Sequence, residues 1–249
     1  MFSQNAITAL RSARSVAMLT GAGVSAESGV PTFRGAGGLW RTYQATSLAT
    51  PEAFARDPKL VWEFYNHRRE VLAPLEPNPG HYAIAAIEAK VPEFTLITQN
   101  IDNLHRIAGT KSLIELHGNI WRLRCTNAAC DHSFNTQENR QVPITPLPPR
   151  CGECGSLLRP HIVWFGEMID PDAIRSAVKA VQGCDFFIVA GTSAVVQPAA
   201  GMPLLARQEG AYVLEINPEH TDLSEALNES IQEASGVALP KLFEAAFGG

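Results

Sequence analysis

Apolar positions in this chain gather into short runs set between stretches of helical period. SVAMLT at 15–20, FTLIT at 94–98, DFFIVA at 185–190 and AYVLEI at 211–216 are compact apolar runs, each leading into loop residues. Runs of this length and composition read as strands. Between them, residues 81–89, 101–108, 171–182 and 199–209 repeat their apolar positions at three- and four-residue spacing, as amphipathic helices do. A further short amphipathic helix is expected ahead of the first strand. Strand and helix in alternation predict an α/β fold, a Rossmann-like parallel sheet with helices on both faces. In such a sheet the loops leaving the carboxyl ends of the strands form the ligand site. Those loops here are TGAGVSAESG, TQNID, AGTSA and INPEH.

Two segments break the alternation. Residues 35–79 have largely helical character and carry Trp40, Trp62, Phe64 and Tyr65. Residues 125–154 are short, polar and rich in proline, with PITPLPPR ahead of a second cysteine pair. Both read as insertions that build a small domain. The expected division places 1–36, 81–120 and 160–249 in the nucleotide-binding domain. A helical module (37–80) and a metal-binding module (121–159) then make up the smaller one.

The 249 residues suffice for one sizeable core and an appended module. With 45% hydrophobic and 18% charged residues the chain is an ordinary globular one, so a disordered or fibrous reading is set aside. A formal net charge of -5 argues against a dedicated nucleic-acid binder. No run of about 18 apolar residues is present, so no membrane span is expected. The first residues lack the basic and apolar regions of a secretion signal. The expectation is a soluble, cytoplasmic protein.

Four of the five cysteines form two close pairs, Cys125/Cys130 and Cys151/Cys154. Two knuckles of thiolates match the tetrahedral sulfur preference of Zn²⁺, and a four-cysteine shell leaves no open position for water. The site is expected to be structural, one zinc per chain. His132 is close enough to compete as a ligand; Gly152 and Gly155, which free the second knuckle's backbone, favour the four thiolates. Cys184 reads as a small buried hydrophobe.

The loop Gly21-Ala22-Gly23-Val24-Ser25-Ala26 follows a strand and could cradle a diphosphate on its backbone amides. By itself the signal is weak, because Ala26 stands where a third glycine belongs. A dehydrogenase would also need an acid about twenty residues on to hold the adenosine ribose. That region reads Arg41-Thr42-Tyr43-Gln44, so hydride transfer is poorly supported.

The specific signal is an ordered set: GAGVSAESGVPTFR at 21–34, TQNID at 98–102, ELHG at 115–118, VWFGE at 163–167 and GTS at 191–193, with the four cysteines between ELHG and VWFGE. In this order, over roughly residues 15 to 240, the chain resembles the sirtuin family of NAD-dependent protein-lysine deacylases. The resemblance implies that Gly21, Ala22, Gly23, Ser25 and Glu27 hold the NAD diphosphate and adjoining ribose. Thr32, Phe33, Arg34 and Trp40 would belong to the loop that covers NAD. Gln99, Asn100, Ile101 and Asp102 would line the nicotinamide and ribose pocket, with Asn100 and Asp102 orienting nicotinamide and water. His117 matches the family's catalytic base, and a neutral imidazole suits that task near pH 7. Gly191, Thr192, Ser193, Asn217, Glu219, Ser235 and Gly236 match the adenosine side. Val163, Phe165, Gly166 and Glu167 match the strand that pairs with an acylated lysine peptide. Nicotinamide and O-acyl-ADP-ribose would be the products, and a monomer the expected state. By itself, a lone histidine before a glycine is more often structural.

One departure narrows the reading. Many sirtuins carry aspartate where this chain has Thr32, and the class III branch, which takes succinyl and malonyl groups, is similar to this chain there. That branch also carries a Tyr-x-x-Arg pair, matched by Tyr65 and Arg68, and small residues matched by Ala45 and Ala49. On a helix, positions i and i+3 share a face, so a phenol and a guanidinium could clamp a carboxylate together. The plain alternative is Tyr65 in the core and Arg68 a solvated charge; in the clamp reading, Arg69 is the decoy. Other readings stay open: a deacetylase or mono-ADP-ribosyltransferase using the same NAD, or a zinc-dependent nucleic-acid binder touching phosphate through Arg122, Arg124, Arg150 and Arg159.

Overall fold

A computed structural model describes residues 1–31 and 45–248 of the chain, without the side chains of residues 45 and 46. In chain order the elements are α1 (Gln4–Ser12), β1 (Ser15–Thr20), α2 (Ala22–Ala26), α3 (Ala45–Leu48), α4 (Pro51–Arg56), α5 (Pro58–Leu72), α6 (Pro79–Glu88), β2 (Glu93–Thr98), α7 (Leu104–Ile107), β3 (Leu113–Glu115), β4 (Gly118–Cys125), β5 (Gln137–Glu138) and β6 (Leu158–Ile162). They continue with α8 (Pro171–Gln182), β7 (Phe186–Ala190), α9 (Met202–Gln208), β8 (Tyr212–Ile216), β9 (Glu229–Ile231) and α10 (Ser235–Phe247).

Six strands form one parallel sheet in the order β3-β2-β1-β7-β8-β9. The four apolar runs are its centre, and β7 is buried at every position. Covering both faces explains this: Met18, Leu96, Ile188 and Leu214 pack on one side with α6 and α10. Leu19, Ile97, Val189 and Val213 pack on the other with α8 and α9. The chain runs outward from β1 through β2 to β3, then crosses back to β7. The order therefore reverses between β1 and β7, where a crevice opens at the carboxyl ends.

A second, antiparallel sheet (β5-β4-β6) lies apart in sequence from the first. Its Ile120, Leu123, Leu158 and Ile162 share a third core with Phe54, Trp62 and Tyr65 of α4 and α5. Capping explains where these helices start. Thr50 and Asp57 each accept a hydrogen bond from the third amide on, and a proline follows each at the first helical position.

Two expectations need correction. The helix over 101–108 contracts to Leu104–Ile107, because Asn103 takes a left-handed conformation (φ 76°) and Asp102 caps the Leu104 amide. The strand over 163–167 is absent: β6 ends at Ile162, and Gly166 (φ 86°) turns the chain. No described helix is long and apolar enough to cross a membrane.

Candidate functional site

At the crevice, two loops meet backbone to backbone. Gly21 donates its amide to Ala190 O and Gly23 donates to Gly191 O at 2.8 Å. A Cβ on Gly23 would stand 2.7 Å from Gly191 Cα, and one on Gly191, itself at φ +58°, would stand 2.4 Å from the Val24 nitrogen. Side chains are excluded there, which leaves bare peptide groups at the mouth of the sheet. Gln99 ties in the third loop, donating from Nε2 to Thr192 Oγ1 at 3.1 Å, and Ser193 follows on the same turn. Farther along the edge, Asn217 donates to Glu219 O. Gly236, at the start of α10, donates its amide to Glu27. Ser235 is buried and its hydroxyl lacks a partner among the described residues.

Beneath the loops runs a polar chain whose polarity follows from one amide. Asn78 N–H points at His81 Nδ1 (3.3 Å), so that nitrogen accepts and Nε2 carries the proton toward Ser25 Oγ (3.3 Å). Asn100 donates from Nδ2 to the same oxygen at 3.1 Å and to Gly21 O at 3.0 Å. With two donors aimed at it, the Ser25 hydroxyl donates onward to Asp102. Burial pushes the Asp102 carboxyl up, opposed by the bonds from Leu104 and Ser25. His81 packs on His105, ring centroids 4.8 Å apart, and His105 reaches Thr20. Burial holds His81 down to about 4 and His105 well below its usual value, so both are neutral.

His117 stands half-buried at the edge of this floor. Its Nδ1 lies 3.0 Å from Gln99 O, and a carbonyl can only accept, so Nδ1 holds the hydrogen and Nε2 keeps its lone pair. Burial lowers the imidazole pKa, with the Gln99 bond opposing. The ring is thus a neutral base at pH 7.

On α5, Tyr65 is 1% exposed and Arg68 9%. This removes the plain alternative of a solvated arginine. The Tyr65 hydroxyl accepts a hydrogen bond from Trp164 Nε1 at 2.8 Å, and burial drives its pKa up to about 12. Arg68 lies within electrostatic reach of both Tyr65 and Asp102, while burial pulls its pKa down from a very high starting point. The guanidinium stays charged. Arg69, fully buried, instead bonds the carbonyls of Ile120 and Asn139 and covers the Trp121 ring. It is structural.

The four cysteines converge. Their sulfurs lie within 4.8 Å of one another, with Cys125–Cys154 at 3.4 Å and Cys130–Cys151 at 3.8 Å. Tetrahedral Zn–S bonds of about 2.3 Å put sulfurs roughly 3.8 Å apart, so the donor set fits zinc. His132 Nδ1 stands 3.3 Å from Cys151 Sγ and also contacts Gln137, outside the four-sulfur cluster.

A Sir2 family profile matches residues 21–198. The chain belongs to the Sir2 family. It is 46% identical to the NAD-dependent protein deacylase of Aquifex aeolicus, over 92% of this chain and 94% of that one. It is 47% identical to the NAD-dependent protein deacylase sirtuin-5, mitochondrial, of Canis lupus familiaris, over 92% of this chain and 81% of that protein. A crystal structure of a Sir2 homologue in complex with NAD superposes with a TM-score of 0.91 at 43% identity, covering 99% of this chain and 94% of that one.

Within this Sir2 chain, Thr32, Phe33, Arg34 and Trp40 lie outside the described residues, as does the side chain of Ala45. Ala49 is half-buried, and its carbonyl accepts the Phe165 amide. Val163 likewise donates to His117 O, so its own chain already occupies this backbone group. The Glu167 side chain turns inward: it accepts from Arg159, Arg124 and the Trp164 amide. Burial alone would raise its pKa, but these bonds hold it below the ordinary range. Sequence reasoning passed over His81, His105, Thr20 and Trp164. For His81 a signal existed, since Asn78 and His81 form a reciprocal capping box at the start of α6. For Trp164 none did.

Proposed function

We propose that this Sir2-family chain is an NAD-dependent protein-lysine deacylase that removes succinyl and malonyl groups, and also acetyl, from lysine side chains. The observation that carries the acidic preference is the buried Tyr65–Arg68 pair. A buried guanidinium beside a buried phenol suits a terminal carboxylate on the acyl group, since both groups can bind one anion through charge-assisted hydrogen bonds. An acetyl group brings no charge.

The glycines at 21, 23 and 191 and the helix start at Ala22 would accept the diphosphate, an arrangement suited to negative charge. Thr192, Ser193, Asn217, Glu219 and Gly236, together with Ser235, would serve the adenosine end. Ser25, Gln99, Asn100, Ile101 and Asp102 would line the ribose and nicotinamide end. Bound NAD would supply an electrophilic ribose carbon for the acyl oxygen, with nicotinamide as the leaving group. His117 Nε2 takes the proton of a ribose hydroxyl, its tautomer fixed by Gln99. Water would complete the cleavage of the amide bond, so the products would be nicotinamide, the free lysine amine and O-acyl-ADP-ribose. Zinc on Cys125, Cys130, Cys151 and Cys154 would hold the small sheet together without touching the reaction.

A side-by-side assay tests this. Succinyl-, malonyl- and acetyl-lysine peptides are incubated with and without NAD, and nicotinamide release is quantified. The proposal expects consumption only with NAD and faster turnover of the acidic acyl groups. Label passing from NAD onto protein without peptide consumption would favour a transferase, and equal rates on all three peptides would remove the acidic preference.

A further inference from the structure

The hydroxyl of Tyr65 can serve a carboxylate only if its proton points at it. A phenol hydrogen lies near the ring plane and has two positions, so what occupies the other side of the oxygen decides where it goes. Trp164 Nε1–H donates to that oxygen at 2.8 Å, and an indole N–H can never accept. Among the described residues this is the hydrogen bond of the Tyr65 hydroxyl. One in-plane side is taken by a donor, and the phenol proton is left to the other.

Trp164 is itself held on every side. It is 3% exposed. The Arg159 guanidinium carbon lies 3.3 Å from its ring centroid, the Phe54 ring packs at 5.2 Å and the Tyr65 ring stacks at 6.5 Å. Its backbone amide donates to Glu167 Oε2 at 2.8 Å, and the same carboxylate binds Arg159. Glu167 and Arg159 therefore form a bracket that fixes the plane of the indole.

We infer that Trp164 is a positioning residue for acyl selectivity: held by the Glu167–Arg159 bracket, it makes Tyr65 an obligate donor toward the acyl end. This deepens the acidic-acyl reading above and depends on it. The high pKa of Tyr65 agrees with a phenol that stays protonated.

The test measures kcat/KM for succinyl- and acetyl-lysine peptides at saturating NAD in wild type, Trp164→Phe, Tyr65→Phe and the double variant, with thermal unfolding as the folding check. The ratio of succinyl to acetyl kcat/KM should fall about tenfold in Trp164→Phe, the size of one neutral hydrogen bond. The change should enter through KM for the succinyl peptide, and adding Trp164→Phe to Tyr65→Phe should lower the ratio no further. Should Trp164→Phe fold poorly, site-specific 3-benzothienylalanine at this position keeps the bicyclic shape, replaces N–H by sulfur and gives the same readout. A lowered ratio in Tyr65→Phe with an unaltered one in Trp164→Phe and the benzothienyl protein would overturn the positioning role and leave the clamp standing. An unaltered ratio in Tyr65→Phe would overturn the clamp itself.

Discussion

The two halves of the candidate site are built by opposite means. At the cofactor edge, loops after β1 and β7 touch through glycine backbones, and what matters is the absence of side chains. At the proposed acyl side, Tyr65, Arg68 and Trp164 are large, buried and polar, drawn from α5 and from the turn after β6. The first half leaves no room for an added atom; the second is held by a hydrogen bond between buried groups. Arg68 also lies within electrostatic reach of Asp102, on the loop after β2.

The largest effect should come from adding one carbon to the cofactor edge. In Gly191→Ala the new Cβ would stand 2.4 Å from a backbone nitrogen at a left-handed φ of 58°. Strained conformation and overpacking together should cost about 3 kcal/mol of stability, with NAD-dependent turnover falling on all peptides alike. Thermal unfolding and peptide assays check this. Selective loss on succinyl peptides would erase the distinction between the halves.

Next, Arg68→Met should lower kcat/KM on succinyl peptide about a hundredfold through the lost charge-assisted bonds, while leaving weak deacetylation. Equal loss of both activities would show that Arg68 supports folding instead. Removing zinc with a chelator acts on the same half, because Cys125, Cys130 and Cys151 belong to the core that holds Tyr65 and Trp164. Peptide turnover should fall while NAD affinity, read by calorimetry, holds. Joint loss would mean that the small sheet and the parallel sheet fold as one unit.

The smallest expected effect is on pH. Burial holds the His117 pKa below 6.5, so the base stays unprotonated to lower pH than a free imidazole. The acid limb of kcat/KM should therefore lie below pH 6.5, and at the same place for acetyl and succinyl peptides. A limb above pH 6.5 would contradict the burial of this ring.

Strands β1, β2, β7 and β8 were legible because both faces of the sheet are covered, which demands unbroken apolar runs. β3 and β9, three residues each, carry too little pattern to read. The glycine positions were also legible, since only glycine satisfies the close approach. So was the four-cysteine set, because zinc requires those donors in two knuckles. Local sequence therefore determined the sheet, the close-packed glycine loops at its edge and the four-cysteine cluster, each a requirement written in residue type and spacing. Tertiary structure alone decided that Arg68 is buried while Arg69 serves the scaffold, that Glu167 faces inward, and that Trp164 meets Tyr65 across 99 residues. Those outcomes turn on which buried polar groups find each other once separate elements pack, and no spacing along the chain encodes that.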